Sequence, residues 1–106
     1  MADYEIGPFA EFEKRWEKSK KQASDWIHSA STKQLREARR RRYLWHLDQG
    51  ISMGMAAFID APRPQEPPAE DWPPSTLAVP ESIKWPVTEM GIRCGWQIGF
   101  AKLEKR

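Results

Sequence analysis

The stretch Gly91–Gly99, GIRCGWQIG, places Gly91, Gly95 and Gly99 four residues apart in a segment whose pattern is otherwise helical. Each glycine inside a helix costs roughly 1 kcal/mol relative to alanine. A helix that accepts three glycines on one face must gain from the missing side chains, and close approach of another segment is such a gain. This stretch therefore predicts a tightly packed helix.

A second stretch repeats this pattern earlier in the chain. Residues 50–56, GISMGMA, and residues 95–101, GWQIGFA, share the pattern G-x-x-x-G-x-A. Two helices with such stripes can pack backbone to backbone, where a bulky side chain on either helix would hold them apart. We expect the two stripes to meet in the core. The alternative is that one stripe receives a partner helix or a second copy of the protein.

The spacing of apolar residues and prolines predicts an all-α fold, a small three-helix domain covering residues 1–106. Pro8 suits the first position of a helix predicted at about 8–29. Ser31 and Gln34 form a potential capping box, so a second helix is predicted at about 32–59. The third helix is predicted at about 87–103, and we expect it to be the most enclosed of the three.

Eight of the nine prolines lie in residues 60–86, between the second and third predicted helices. Prolines inside a helix remove hydrogen bonds and clash with the preceding turn, so polyproline II and turns are predicted here. Large apolar residues recur through the segment, which favours an ordered proline-rich strap laid over the helices rather than a disordered linker. These residues are Trp72, Leu77, Val79, Ile83 and Trp85.

The most apolar stretch, residues 90–101, is about a dozen residues long and contains Arg93, whereas a helix that spans a bilayer needs about 20 apolar residues. We therefore expect no membrane segment. The amino terminus lacks the basic and apolar regions of a signal peptide. A lone cysteine, Cys94, cannot form an internal disulfide, so the sequence predicts a cytoplasmic protein.

Residue types that carry chemistry are scarce. A structural zinc site needs about four Cys or His ligands, and the chain has one cysteine and two histidines. Cys94 is expected to be buried, where a thiol is unreactive. The glycine motifs that bind phosphates and dinucleotides are absent from the sequence. We predict a non-enzymatic protein with no catalytic residue, no cofactor and no metal.

A run of basic residues in the second helix provides one candidate surface. Lys33 and five arginines lie close together, with Glu37 as the one acidic residue among them. The five are Arg36, Arg39, Arg40, Arg41 and Arg42. Such a cluster can bind nucleic-acid phosphates or pair with carboxylates of an acidic protein surface. It can also pair with glutamates of the first helix and carry no function.

Two tryptophans extend the candidate surface. Trp45 lies on the side of the second helix away from most of its apolar residues, so we expect it to be exposed or to touch a different neighbour. Trp72 lies in the strap, whose fragments PRPQEPP and DWPPS resemble ligands of grooves that bind polyproline II. Tryptophan and arginine are typical interface anchors. The predicted partner-binding residues are Arg36, Arg39, Arg40, Arg42, Trp45 and Trp72.

The sequence thus predicts a small interaction protein that binds stoichiometrically to a larger protein or assembly, as an inhibitor or adaptor. In size, tryptophan content and lack of catalytic motifs it resembles, in style and not in residues, phage-type proteins that block a larger host complex. The alternative is a nucleic-acid or ribonucleoprotein binder that uses the basic residues 33–42. A third interpretation is a self-assembling structural protein, a homo-oligomer that uses the glycine-striped faces.

Overall fold

The computed structural model describes residues 8–68 and 72–105. Over these residues the protein has four helices and no strand. The helices are α1 (Phe9–His28), α2 (Lys33–Met55), α3 (Pro74–Leu77) and α4 (Glu81–Glu104). The predicted all-α class is confirmed. In the same part of the chain, no helix combines the length and the apolar character that crossing a membrane requires.

The two ends of α2 differ from the prediction for local reasons. Its N-cap is Thr32 rather than Ser31, because the Thr32 hydroxyl accepts the backbone N–H of Leu35 at 3.1 Å. This bond satisfies one of the donors that a helix start leaves unpaired. At the other end, α2 stops at Met55 instead of residue 59, because the backbone N–H of Phe58 turns back to the Met55 carbonyl.

The last helix begins earlier than predicted. Pro80 is the N-cap of α4, and Pro86 lies inside it, whereas the sequence predicted a strap to residue 86 and a helix from residue 87. Pro86 removes one hydrogen bond near the start of the helix. Burial of Ile83 and Val87, which are 1% and 0% exposed, stabilises the helix on both sides of that proline. The predicted boundary was therefore wrong. The short helix α3 was not predicted.

The two glycine stripes meet along α2 and α4. A Cβ atom placed on Gly50 would lie 3.0 Å from the Cα atom of Gly91, and one placed on Gly54 would lie 3.0 Å from the Cα atom of Gly95. Each would also overlap with a backbone oxygen of the facing helix. The predicted core packing of the stripes is confirmed. Since residue numbers increase together on both sides of this glycine seam, α2 and α4 run parallel.

α1 runs antiparallel to α4 and packs against it. Ala23, late in α1, is in a buried cluster with Ile83, early in α4. Phe12, early in α1, lies under the guanidinium of Arg93, later in α4. Hence α4 contacts both of the other long helices. A second buried cluster closes the turn between α1 and α2, with Trp72 packed against it. Its members are Ala30, Leu35, Ala38 and Leu77.

Parallel packing of α2 and α4 requires the connection between them to return along the pair. The chain leaves α2 at Met55 and reaches α3 beside the start of α2, where the Thr76 carbonyl accepts a hydrogen bond from Arg39. Residues 61–68, here called the polyproline segment, make up the first part of this return. Their contacts with α2 bear directly on the residues predicted to bind a partner.

Candidate interaction surfaces

Arg39, one of the predicted partner-binding residues, links three segments of the protein itself. Its Nε donates to the Thr76 carbonyl at 3.0 Å, and its Nη1 donates to the Ser29 hydroxyl at 3.1 Å and to the Trp26 carbonyl. The guanidinium also lies over the Trp26 ring, 4.9 Å from its centroid. These contacts join the end of α1 and the start of α3 to α2.

The other arginines of the basic run have different environments. Arg36 Nη1 donates to the Ala30 carbonyl at 3.0 Å and so holds the turn between α1 and α2. Arg40 is exposed to solvent. The sequence could not separate these roles, because a backbone carbonyl that accepts from an arginine leaves no trace in the pattern of side chains.

The polyproline segment shows a burial repeat of three residues. Ala61, Pro64 and Pro67 are partly buried, whereas the residues between them and Pro68 are exposed. Polyproline II has three residues per turn, so one edge of the segment faces the rest of the protein. The P-x-x-P pair within PRPQEPP, Pro64 and Pro67, lies on this inner edge. The segment therefore turns that motif inward rather than presenting it to solvent.

Trp45 and Ser52 of α2 bind carbonyl groups of the polyproline segment. The Ser52 hydroxyl donates to the Pro62 carbonyl at 2.7 Å, and the Trp45 indole Nε1 donates to the Pro64 carbonyl at 3.5 Å. Residues seven apart lie on one side of a helix, and here that side is opposite the glycine seam. Trp45 thus touches a neighbour other than the helical core, which is one of the two outcomes that the sequence predicted.

Arg42 adds an ion pair to the same face of α2. Its Nη1 lies 2.7 Å from Oε1 of Glu66, and its guanidinium lies 5.9 Å from the centroid of the Trp45 ring. The Arg42 side chain is mostly buried, whereas that of Glu66 is 62% exposed. Beside these contacts, a half-open pocket of about 390 Å³ lies between α2 and the segment. Its lining includes Gln49, Met53, Ala56, Ala61, Arg63 and Pro64.

His46 lies beside this face in a largely buried position. Burial lowers the pKa of its imidazole, and the nearby positive charges of Lys84 and Arg42 lower it further, while Glu81 acts in the opposite direction. The ring centroids of His46 and Trp45 are 5.0 Å apart. Burial and the nearby positive charges, which outweigh the effect of Glu81, both favour the neutral imidazole in the folded protein.

The structure therefore does not bring the six predicted partner-binding residues into one exposed surface. Arg36 and Arg39 donate hydrogen bonds to Ala30 and Thr76, near the α1–α2 turn. Trp72 packs against the buried cluster at that turn. Arg42 and Trp45 contact the polyproline segment. Their role toward a partner stays a prediction, and Arg40 is the member of the set that solvent reaches most freely.

A buried carboxylate joins α1 to α4. Glu89 is 3% exposed and lies 3.4 Å from both Arg15 of α1 and Arg93 of its own helix. The Arg93 guanidinium also lies 4.7 Å from the centroid of the Phe12 ring. Sequence reasoning did not single out this cluster. The spacing of Glu89 and Arg93, four residues apart, was the one available signal.

The carboxyl-terminal part of α4 extends beyond its partner helix. Met55, the last residue of α2, lies against Gly99, whereas α4 continues to Glu104. Near this end, the side chains of Ile98, Phe100 and Leu103 are 39%, 50% and 40% exposed. The ring of Phe58 packs edge-on against that of Phe100. Phe100 and Leu103, which share one side of the helix, and Phe58, which packs against Phe100, are here called the apolar end of α4. Ile98 lies on the other side of the helix.

The sequence predicted α4 to be the most enclosed of the long helices. It has seven buried residues, against six in α2 and four in α1. Its carboxyl-terminal end is nevertheless exposed. α2 ends at Met55, four residues earlier than predicted, so about one and a half turns of α4 lie past its partner.

Groups suited to metal binding do not gather in the described ranges 8–68 and 72–105, where no three His, Cys, Asp or Glu side chains could hold an ion together. Cys94 is a partly buried free thiol. In comparisons with known proteins, no family model, no curated protein and no solved structure matches this chain. The geometry of its surfaces is therefore the basis for a functional proposal.

Proposed function

We propose that the protein acts by stoichiometric binding to a larger protein or assembly, as an inhibitor or adaptor, and that the apolar end of α4 is its main contact. One observation supports this proposal most: Phe100 and Leu103, three residues apart on one side of α4, are 50% and 40% exposed where the helix projects past α2. Exposed clusters of large apolar residues are typical of interaction sites. We place this activity in the cytoplasm, because the chain has a single cysteine.

The arrangement suits binding of a helix in a groove. Trp96, Phe100 and Leu103 follow one another at intervals of four and three residues, which sets them on one side of α4. Phe100 and Leu103 are exposed and Trp96 is partly buried. Transfer of one exposed side chain into an apolar groove contributes about 1.5–3 kcal/mol when it becomes fully buried.

The nucleic-acid alternative has less support. Arg36, Arg39 and Arg42 each donate to the protein's own carbonyl or carboxylate groups. A phosphate backbone would have to compete with these internal partners, and affinity falls with every phosphate that the arginines leave unpaired. The same reasoning applies to an acidic partner at these positions. The apolar end needs no such rearrangement, because its side chains are already exposed.

A photo-crosslinking experiment in native cells tests the proposal. A benzophenone amino acid replaces Phe100 in one variant and the equally exposed Trp85 in a control variant. We expect a discrete product with a second, larger protein from position 100 and none from position 85. Equal products from both positions, or none from position 100, would contradict the proposal. A product of twice the chain mass would instead support self-assembly, and a nuclease-sensitive product would support nucleic-acid binding.

A paired substitution measures the contribution of the same surface. Phe100→Ser combined with Leu103→Ser is expected to weaken capture of the crosslinked partner by about tenfold or more, since central apolar anchors dominate interface energies. The control, Leu44→Ser, removes an exposed apolar residue of α2. Melting temperatures of both variants should stay close to that of the unmodified protein, which separates a defect in binding from a defect in folding.

A further inference from the structure

The face of α2 that holds the polyproline segment has the features of a receptor for that conformation. Trp45 donates to the Pro64 carbonyl, and Arg42 pairs with Glu66 two residues later. Polyproline II leaves its backbone carbonyls free and presents proline rings, and aromatic side chains with a polar donor recognise both. The ion pair selects an acidic residue two positions after the residue whose carbonyl Trp45 binds. Proline is favoured nearby because it presets the polyproline II backbone.

Two of the three polar contacts that hold the segment, those of Trp45 and Arg42, are of a kind that exchanges readily. Glu66 is mostly exposed, and an ion pair with an exposed partner is weak. The 3.5 Å separation of Trp45 Nε1 from the Pro64 oxygen is long for a hydrogen bond. A half-open pocket of about 390 Å³ beside Pro64 leaves room next to the segment. A ligand with larger side chains would make more contacts there.

We propose that this face of α2, formed by Arg42, Trp45, Gln49 and Ser52, is a binding site for a proline-rich segment of another protein. The incoming segment adopts polyproline II, displaces residues 61–68 and takes over their hydrogen bonds and ion pair. This site lies on α2 and is independent of the function proposed for the apolar end of α4.

Another protein, rather than a second copy of this chain, is the source of the ligand because of how the polyproline segment is tethered. It begins soon after Met55, at the end of α2, and Trp72 packs against the cluster at the other end of that helix. A segment tethered at both ends to its own helix pays more conformational entropy to lie along the α2 of a neighbouring molecule than a free segment does. A segment from an unrelated chain has no such restriction.

Competition with the tethered segment sets the expected affinities. A tethered ligand is present at an effective concentration in the millimolar range, so the unmodified protein binds an external peptide weakly. Glu66→Arg places two positive charges together and weakens the internal contact, while it leaves every residue of the α2 face unchanged. This variant is therefore the better receptor for an external peptide with glutamate at that position.

The test is a titration of full-length variants with two synthetic peptides, measured by isothermal titration calorimetry. One peptide is DAPRPQEPP, the sequence of residues 60–68, and the other, DAPRPQRPP, has arginine in place of the glutamate. We expect Glu66→Arg to bind the first peptide at least about tenfold more tightly than the unmodified protein does. We expect Arg42→Glu to prefer the second peptide. Trp45→Leu added to Glu66→Arg removes binding, and Trp85→Leu, the control, does not.

Reversal of peptide preference between the two charge variants is the decisive result. Non-specific attachment cannot produce it, because attraction by net charge, +4 in Glu66→Arg and 0 in Arg42→Glu from the +2 of the unmodified protein, gives the second peptide no advantage on either variant. Folded variants that bind neither peptide, or that bind both equally, would overturn the proposal. Light scattering tests the choice of another protein as the source. If Glu66→Arg dimerises with rising concentration and the dimers dissociate as peptide is added, the ligand is a second copy of this chain, and that choice is overturned.

Discussion

The missing side chains of four glycines let the backbones of α2 and α4 touch. At Gly50, Gly54, Gly91 and Gly95 an added Cβ would overlap with a carbonyl oxygen of the facing helix, so one Cα–H of each glycine points at that oxygen. Such C–H···O contacts contribute about 0.5–1 kcal/mol each. This is comparable to the roughly 1 kcal/mol that a glycine costs inside a helix, so the seam offsets much of that cost.

Substitution of Gly95 is the sharpest test of the glycine seam. Gly95→Ala is expected to lower the free energy of unfolding by about 2–3 kcal/mol, although alanine favours the helix, because the new Cβ overlaps with the Ile51 carbonyl oxygen. Gly99→Ala is the matched control, since its nearest contact is the Met55 Cα at 3.0 Å, and should cost at most about 1 kcal/mol. Urea unfolding measures both, and equal losses would argue against the seam.

His46 makes the stability of the protein depend on pH. Burial and the positive charges of Lys84 and Arg42 lower the pKa of His46 in the folded state. In an unfolded chain the pKa of a histidine is about 6.5. The unfolded chain therefore binds the proton more strongly. The stability that depends on neutral His46 is fully present above about pH 6.5 and is lost as the pH falls through and below that value.

Urea unfolding at about pH 7.5 and about pH 5.5 checks this dependence. The unmodified protein should lose more unfolding free energy between the two conditions than His46→Gln does, because glutamine does not titrate. Other groups contribute equally to both proteins and cancel in the comparison. The same loss in both proteins would show that His46 is free to take up its proton in the folded state.

At the level of helices, the sequence predicts which faces meet better than how they meet. Spacing alone places Gly50 and Gly54 on one stripe and Gly91, Gly95 and Gly99 on another. A stripe of small residues looks the same in both directions, so parallel packing could not be predicted from it. The early start of α4 escaped prediction because burial beside Pro86, a long-range effect, outweighs a local cost.

Glu89 joins two helices, and its removal should separate them. Glu89→Ala leaves the guanidiniums of Arg15 and Arg93 without their shared carboxylate. Loss of one member of a buried ion pair costs about 3–5 kcal/mol; here we expect about 2–3 kcal/mol, because the Arg15 side chain is 52% exposed and can turn to water.

Glu81→Ala is the control for this measurement. Glu81 lies on the same helix and also pairs with a basic residue, Lys84, but its side chain is 89% exposed. Its removal should change the unfolding free energy by about 0.5 kcal/mol or less. Chemical unfolding of both variants suffices, and a Glu89 effect as small as that of Glu81 would mean that the α1–α4 contact rests on apolar packing alone.

Over the whole molecule, the candidate surfaces were harder to predict than the fold. Trp45 was expected to contact a neighbour other than the helical core, and it contacts Pro64. The apolar end of α4 escaped notice because its exposure depends on where a different helix, α2, ends. Exposure is a property of the assembled protein, and periodicity in one segment reports only which of its own residues share a face.

Arg39 and Arg40, adjacent in sequence, should behave oppositely. Arg39→Ala removes hydrogen bonds to Thr76, Trp26 and Ser29, and so loosens α1 and α3 from α2 at once. We expect a loss of about 2 kcal/mol, whereas Arg40→Ala should stay within about 0.5 kcal/mol. Thermal unfolding gives both values. A stable Arg39→Ala protein that captures less partner would instead favour its predicted role in partner binding.

Parallel packing of α2 and α4 also governs how the protein acquires its structure. Residues that face each other across the glycine seam are about forty positions apart in the chain, and the free-energy cost of closing such a loop must be met before any seam contact forms. The cluster at the α1–α2 turn needs mainly neighbours in sequence. Helical domains with local contacts fold in microseconds to milliseconds. This one should be slow for its class, with the α1–α2 hairpin formed first and the seam last.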